Sequence, residues 1–228
     1  MRIHFDTDLD NLKRTLAEMS LSARHMIRLA GKMLFQHDLS PMQEIYHLER
    51  GVNQAEMDVD AIAVKLIALH QPAATDLRLI ISVIKMSTQV ERLGDLAINI
   101  AKRAPEIICL PAEEFPGDLE TISRVAPGMV DDVMQAFLNH DEALARAVCQ
   151  RDDVVDALNK NILMEYIRRI STGEIETEKG LEMIMISKQY ERMADSATNI
   201  AEEIIFYIKG RNIKHNTEKT LPSAPPAS

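Results

Sequence analysis

The stretch Glu91-Arg92-Leu93-Gly94-Asp95, continued to Asn99-Ile100-Ala101, returns one hundred residues later as Glu191-Arg192-Met193-Ala194-Asp195, continued to Asn199-Ile200-Ala201. Identities in register at one fixed offset, in a region without low complexity, mark an internal duplication. Reading one copy therefore reads the plan of the other.

Upstream of the first copy, apolar residues recur at Leu9, Leu12, Leu16, Met19, Ala23, Met26, Ala30, Met33 and Leu34. This i, i+3/i+4 stripe predicts an amphipathic helix over 5–37. Asp38-Leu39-Ser40-Pro41 ends it and opens a second, with Ser40 as the expected N-cap and Pro41 at the first helical position. That second helix runs to about 70, where Gln71-Pro72 stops it. A third, over 75–103, carries the motif and is expected to stop at Pro105. After a linker holding Pro105, Pro111 and Pro116, the plan repeats. A fourth helix lies within 118–139, with Pro127-Gly128 expected to kink or interrupt it. A fifth spans 141–170, with Asp141 as N-cap and Thr172-Gly173 as its stop. The sixth, 177–209, carries the second motif and ends before Gly210. The expected fold is all-α: six long antiparallel helices in two tandem three-helix bundles. The divisions fall at 1–108, 109–117 for the linker, 118–212, and a disordered polar tail over 213–228.

Composition agrees. Ala, Leu, Ile, Met, Glu and Arg fill the long stretches free of Gly and Pro, and all are tolerable helix formers. A net charge of −9 argues against a nucleic-acid partner, whose phosphates require a basic footprint. Cys109 and Cys149 have no metal-type spacing and are too few for a disulfide scaffold, so a reducing cytoplasm is expected. Charges from Arg2 onward leave no signal-peptide core, and no uncharged run is long enough for direct membrane insertion.

Helical projection gives the repeated motif chemical content. Glu91 and Asp95 lie one turn apart, and Ile80, Ile84 and Ile98 project within roughly 20° of Glu91. The two acids thus edge an apolar arc, whereas Lys85, Arg92 and Arg103 project to the opposite side, toward water. On the sixth helix Glu191, Asp195 and Glu202 share one stripe; Lys102 stands where the first half would match Glu202. The second helix offers Glu49, Asn53, Glu56 and Asp60 at i, i+4, i+7 and i+11. On the fifth, Asp152, Asp156 and Asn159 repeat the spacing. Each half therefore presents two facing rows of oxygen donors. A single i, i+4 acid pair is ordinarily solvated surface, but recurrence in both halves beside isoleucines points to cation-holding grooves. Carboxylates so crowded repel unless hard or borderline cations lie between them, with Fe, Zn, Mn or Mg as the expected metals. The Glu191 surface, with Glu202 added, ranks as the better of the two.

No nucleophile–base set, P-loop or Gly-rich phosphate cradle appears, so no catalytic residue is assigned. Glu44-Ile45-Tyr46-His47 supplies the sole Glu-x-x-His match, and His47 projects away from Glu49, against a ferritin-like di-iron enzyme. A metal-free helical scaffold is the other alternative.

These residues resemble the PhoU family. The Glu-Arg-(Leu/Met)-(Gly/Ala)-Asp motif followed by Asn-Ile-Ala is similar to that family's E(D)xxxD pattern. The turn Pro72-Ala73-Ala74-Thr75-Asp76-Leu77-Arg78 and Asn139-His140-Asp141 are similar to it as well. The likeness runs from Phe5 to about Lys209. It implies a non-enzymatic, cytoplasmic regulator of phosphate uptake, peripherally associated with inner-membrane complexes, that negatively regulates the phosphate-starvation response. It further implies two partners, the phosphate ABC transporter through its ATPase subunit PstB, and the sensor histidine kinase PhoR. By motif match Glu91, Asp95, Glu191 and Asp195 would be metal ligands, joined by Glu49, Asn53, Glu56, Asp152, Asp156 and Glu202. Lys102 departs from a full ligand set in the first half. A homodimer is expected, although no residue specifies its interface.

Overall fold

A computed structural model describes residues 2–107, 117–211 and 213. It contains α1 (Arg2–Gln36), α2 (Met42–His70), α3 (Ala74–Ile107), α4 (Gly117–Asn139), α5 (Glu142–Ser171) and α6 (Thr177–Lys209). Among the described residues there is no strand. Every member of the α1 stripe, from Leu9 to Leu34, is buried, as a helix of that periodicity requires.

Helices α1–α3 pack on one another, as do α4–α6, matching the order of the two sequence copies. The expected linker at 109–116 and the tail over 214–228 lie outside the described residues. Gly117 already belongs to α4, and Ile213 is buried. Cys109 is likewise outside them, while Cys149 is a buried thiol without a disulfide.

The two triplets are not merely side by side. Helix α3 packs on α6 as extensively as on α1, and both triplets feed one continuous apolar cluster. Such placement explains the sequence of α6, where Ile200 to Ile205 are buried in succession. A helix covered on all sides loses the solvated face that an amphipathic pattern otherwise shows. Small side chains at Ser87, Ala97 and Ala101 on α3, and at Ser187, Ala197 and Ala201 on α6, are buried along these central helices.

Three local expectations are corrected. Helix α3 continues through Pro105 to Ile107. A proline there removes one backbone bond within the last turn, where few bonds remain to lose. Helix α4 runs as one helix through Pro127 rather than being interrupted. Burial of Ala126, Met129 and Val130 beside the proline holds the segment in place despite the lost N–H. Ser40 does not cap α2. Pro41 occupies the N-cap, no side chain caps it, and the Ser40 amide instead donates to Asp38 Oδ1 at 3.0 Å.

Asp141 does cap α5: its backbone is extended and its Oδ1 accepts from the Leu144 amide at 3.0 Å. Asp141→Ala should cost about 1 kcal/mol. In a thermal melt that is a fall of about 2–4 °C for a chain of this size.

Candidate functional site

In the first half, α2 and α3 bring Glu49, Glu56, Glu91 and Asp95 into one electrostatic neighbourhood. Burial raises the Glu91 carboxyl above the usual range, and Asp95, Glu56 and Glu49 push it further in that order. No cation is among the groups acting on Glu91. Asn53 donates to Glu49 Oε1 at 3.4 Å, placing it in the same row. Asp60, exposed, is not among the groups acting on Glu91.

In the second half, burial raises the Asp195 carboxyl, followed by the charges of Glu191 and Asp156. Here Lys188 and Arg92 act in the opposite sense. Lys188 Nζ lies 2.6 Å from Glu191 Oε1, yet Glu191 Oε2 is buried without a hydrogen-bond partner. The fifth helix joins through Asn159, which accepts from Ser187 Oγ at 2.7 Å. Asp152 is half-buried on the same helix.

The two surfaces differ in how far their negative charge is compensated. Glu202 is buried at 5% exposure and is not among the charges acting on Asp195. Lys188 already answers part of the second groove's negative charge, whereas Thr88 stands at its counterpart in the first. The Glu91 groove is the less compensated one. Lys102 lies with its ammonium 5.9 Å from the Tyr46 ring centre.

Lys85 and Arg92 are exposed, as projected, and Arg103 is half-buried, yet all three also reach α6. Lys85 reaches the buried Glu203 at 3.2 Å, Arg103 pairs with Glu182, and Arg92 acts on Asp195. Projection missed this because the side of α3 away from its own triplet is the side that meets α6. Lys188 was legible as i−3 from Glu191, and Arg92 as a partner for an acid on a neighbouring helix, though not that this helix belongs to the other half.

The grooves suit a hard cation in donor chemistry: several carboxylate oxygens, an orphaned buried one, and mutual repulsion that a cation would relieve. As the side chains stand, no three of His, Cys, Asp or Glu among the described residues are grouped to hold one ion. Glu44 of the Glu-x-x-His match pairs with His25 on α1 at 2.9 Å, which takes it away from any di-iron arrangement.

Raised carboxyl pKa values link the grooves to stability. Protons favour the folded form here, so this contribution is full below the ordinary carboxylate range and is lost as pH rises through it toward the raised value. In chelator-treated protein at neutral pH, Glu91→Gln should therefore melt higher than wild type. The gap should narrow as pH falls toward the ordinary carboxylate range and wild-type Glu91 takes up its own proton. Differential scanning fluorimetry across pH checks this.

The described residues form an all-helical protein of two three-helix sets, each with an acidic groove. Comparison with known proteins narrows the class. The sequence profile described as "PhoU domain" matches twice, over residues 16–104 and 119–204. The chain is 32% identical over 213 residues to the "Phosphate-specific transport system accessory protein PhoU homolog" of Pseudomonas putida, spanning 92% of this chain and 83% of that one. A protein of the same description from Pseudomonas aeruginosa is also 32% identical, over 92% of this chain and 88% of its own. The crystal structure of PhoU from Pseudomonas aeruginosa superposes with a TM-score of 0.84 at 30% identity, covering 91% of this chain and all 100% of that one. A Streptococcus pneumoniae PhoU structure shares the fold, with a TM-score of 0.82 at 23% identity over 91% of this chain and 98% of its own. The chain belongs to the PhoU family.

Proposed function

We propose that this protein is a cytoplasmic regulator of phosphate uptake that restrains the phosphate-starvation response when phosphate is plentiful. In this reading it bridges the phosphate ABC transporter, through the ATPase subunit PstB, and the sensor histidine kinase PhoR. Support comes from family membership over both halves and from relatives described as accessory to a phosphate-specific transport system. The observation that carries the reading is the acidic motif repeated on central helices of both halves. Among the described residues no helix is long and apolar enough to cross a membrane, so attachment to the transporter would be peripheral.

Deleting the protein should raise expression of a phosphate-starvation reporter in phosphate-rich medium, and restoring it should lower that expression. Unchanged expression would sink the regulatory reading. Pull-down of detergent-solubilised membranes with tagged protein tests bridging separately: recovery of PstB and PhoR supports it, and recovery of neither argues against it. Cation binding on the two grooves forms the second part of the proposal, with the uncompensated Glu91 groove as the stronger site.

A further inference from the structure

A pocket of about 230 Å³ opens where α1 of the first half meets α4 of the second, away from both acidic grooves. Tyr190 of α6 lines it and is only 1% exposed. Its hydroxyl makes no hydrogen bond to any described residue. The first half has Val90 at the matching place, so the hydroxyl is particular to this pocket.

Gly31, in the middle of α1, keeps the space over that hydroxyl open. A Cβ built on Gly31 would lie 3.9 Å from the Tyr190 oxygen, an ordinary contact that packing tolerates. Glycine weakens a helix interior relative to alanine, so packing does not account for it here. Alanine would narrow the approach to the hydroxyl.

Charge in the pocket runs against that of the whole chain. Arg24 is ion-paired with Asp131 across the seam, and Arg28 has no partner among the described residues. Two guanidinium groups thus face one carboxylate in a protein of net charge −9. Pro127 has no N–H to give the carbonyl of Ser123, four residues earlier, which leaves that acceptor without its helical donor.

We infer that this pocket binds a small oxyanion that still carries a proton, the class to which hydrogen phosphate belongs. Its oxygens accept from Arg28, Arg24 and the Tyr190 hydroxyl, while its own O–H donates to the Ser123 carbonyl or to Asp131. Sulfate, unprotonated at neutral pH, would set its oxygens against those two acceptors. The pocket is smaller than the roughly 300–1,000 Å³ typical of drug-sized ligands, which favours a free ion or a small monoester over a nucleotide.

Calorimetric titration of the full chain at neutral pH, with EDTA present to keep cations off the grooves, tests the site. Inorganic phosphate, glycerol 3-phosphate and sulfate serve as probes. Saturable phosphate binding is expected, with sulfate weaker by about tenfold or more, the worth of one charge-assisted hydrogen bond. Arg28→Ala and Tyr190→Phe should each weaken phosphate by about tenfold. Gly31→Ala should weaken it while leaving the melting temperature unchanged or higher. Glycerol 3-phosphate binding more tightly than phosphate supports the same class with a monoester as its source. Absent saturation, equal affinity for sulfate and phosphate, or an Arg28→Ala protein that binds as wild type would each overturn the assignment. Purified protein reports this binding, whereas regulation and bridging are read in cells and membranes, so the two can fail separately.

Discussion

Adding Mn²⁺ to chelator-treated protein should raise its melting temperature, and the Glu91→Gln/Asp95→Asn double variant should lose most of that rise. At a hundredfold excess over Kd, one cation bound to the folded state alone stabilises by about 2.7 kcal/mol. For a chain of this size that corresponds to roughly 5–11 °C. The first groove should dominate, because every charge acting on Glu91 is negative, whereas Lys188 sits 2.6 Å from Glu191 in the second. Glu191→Gln/Asp195→Asn should accordingly remove the smaller share. In the absence of cation, the first double variant should melt above wild type, since it removes like-charge repulsion without emptying the core. Elemental analysis of purified wild type and both variants supplies an independent readout. Equal, negligible metal in all three, with no thermal response to Mn²⁺, Zn²⁺, Mg²⁺ or Fe²⁺, would leave a metal-free helical scaffold as the better description.

Reversing the charge of Lys85 should produce the second large effect, this time between the halves. Lys85 on α3 reaches Glu203 on α6, whose side chain is only 4% exposed, while Lys85 itself remains 48% exposed. Removing one partner of a fully buried pair costs about 3–5 kcal/mol. With the ammonium half in water, Lys85→Glu should cost about 2–3 kcal/mol, seen as a fall of roughly 4–12 °C. The exchanged pair Lys85→Glu/Glu203→Lys should recover part of the loss, and the double-mutant cycle measures the coupling directly. If the single variant melts like wild type, the contact between α3 and α6 does not depend on this pair.

Much of the fold was legible because helices announce themselves locally. The Leu9 to Leu34 stripe, the Asp141 cap and the left-handed Gly210 at the end of α6 each depend on residues within a few positions of one another. The errors share a cause. Pro105 read as a stop and Pro127 as a kink or interruption, yet both helices continue through them, because the tertiary contacts around a proline outweigh one missing hydrogen bond. The acidic grooves were also within reach. Facing rows on α2 and α3, and on α5 and α6, follow from short connections that make consecutive helices antiparallel neighbours. Glu202 is buried rather than at the groove's edge, because a shared angular stripe says nothing of which neighbour covers its far end.

By itself, then, the sequence determined the six helices, the duplication, and the acids that line each groove. These rest on periodicity and on spacing along one chain. Only the tertiary structure decided that α3 and α6 form a common centre, that Lys85, Arg92 and Arg103 serve that contact, and that Tyr190 lines a pocket between the halves. Periodicity tells which face of a helix avoids water. It cannot tell which distant helix, a hundred residues away, will cover the remaining face.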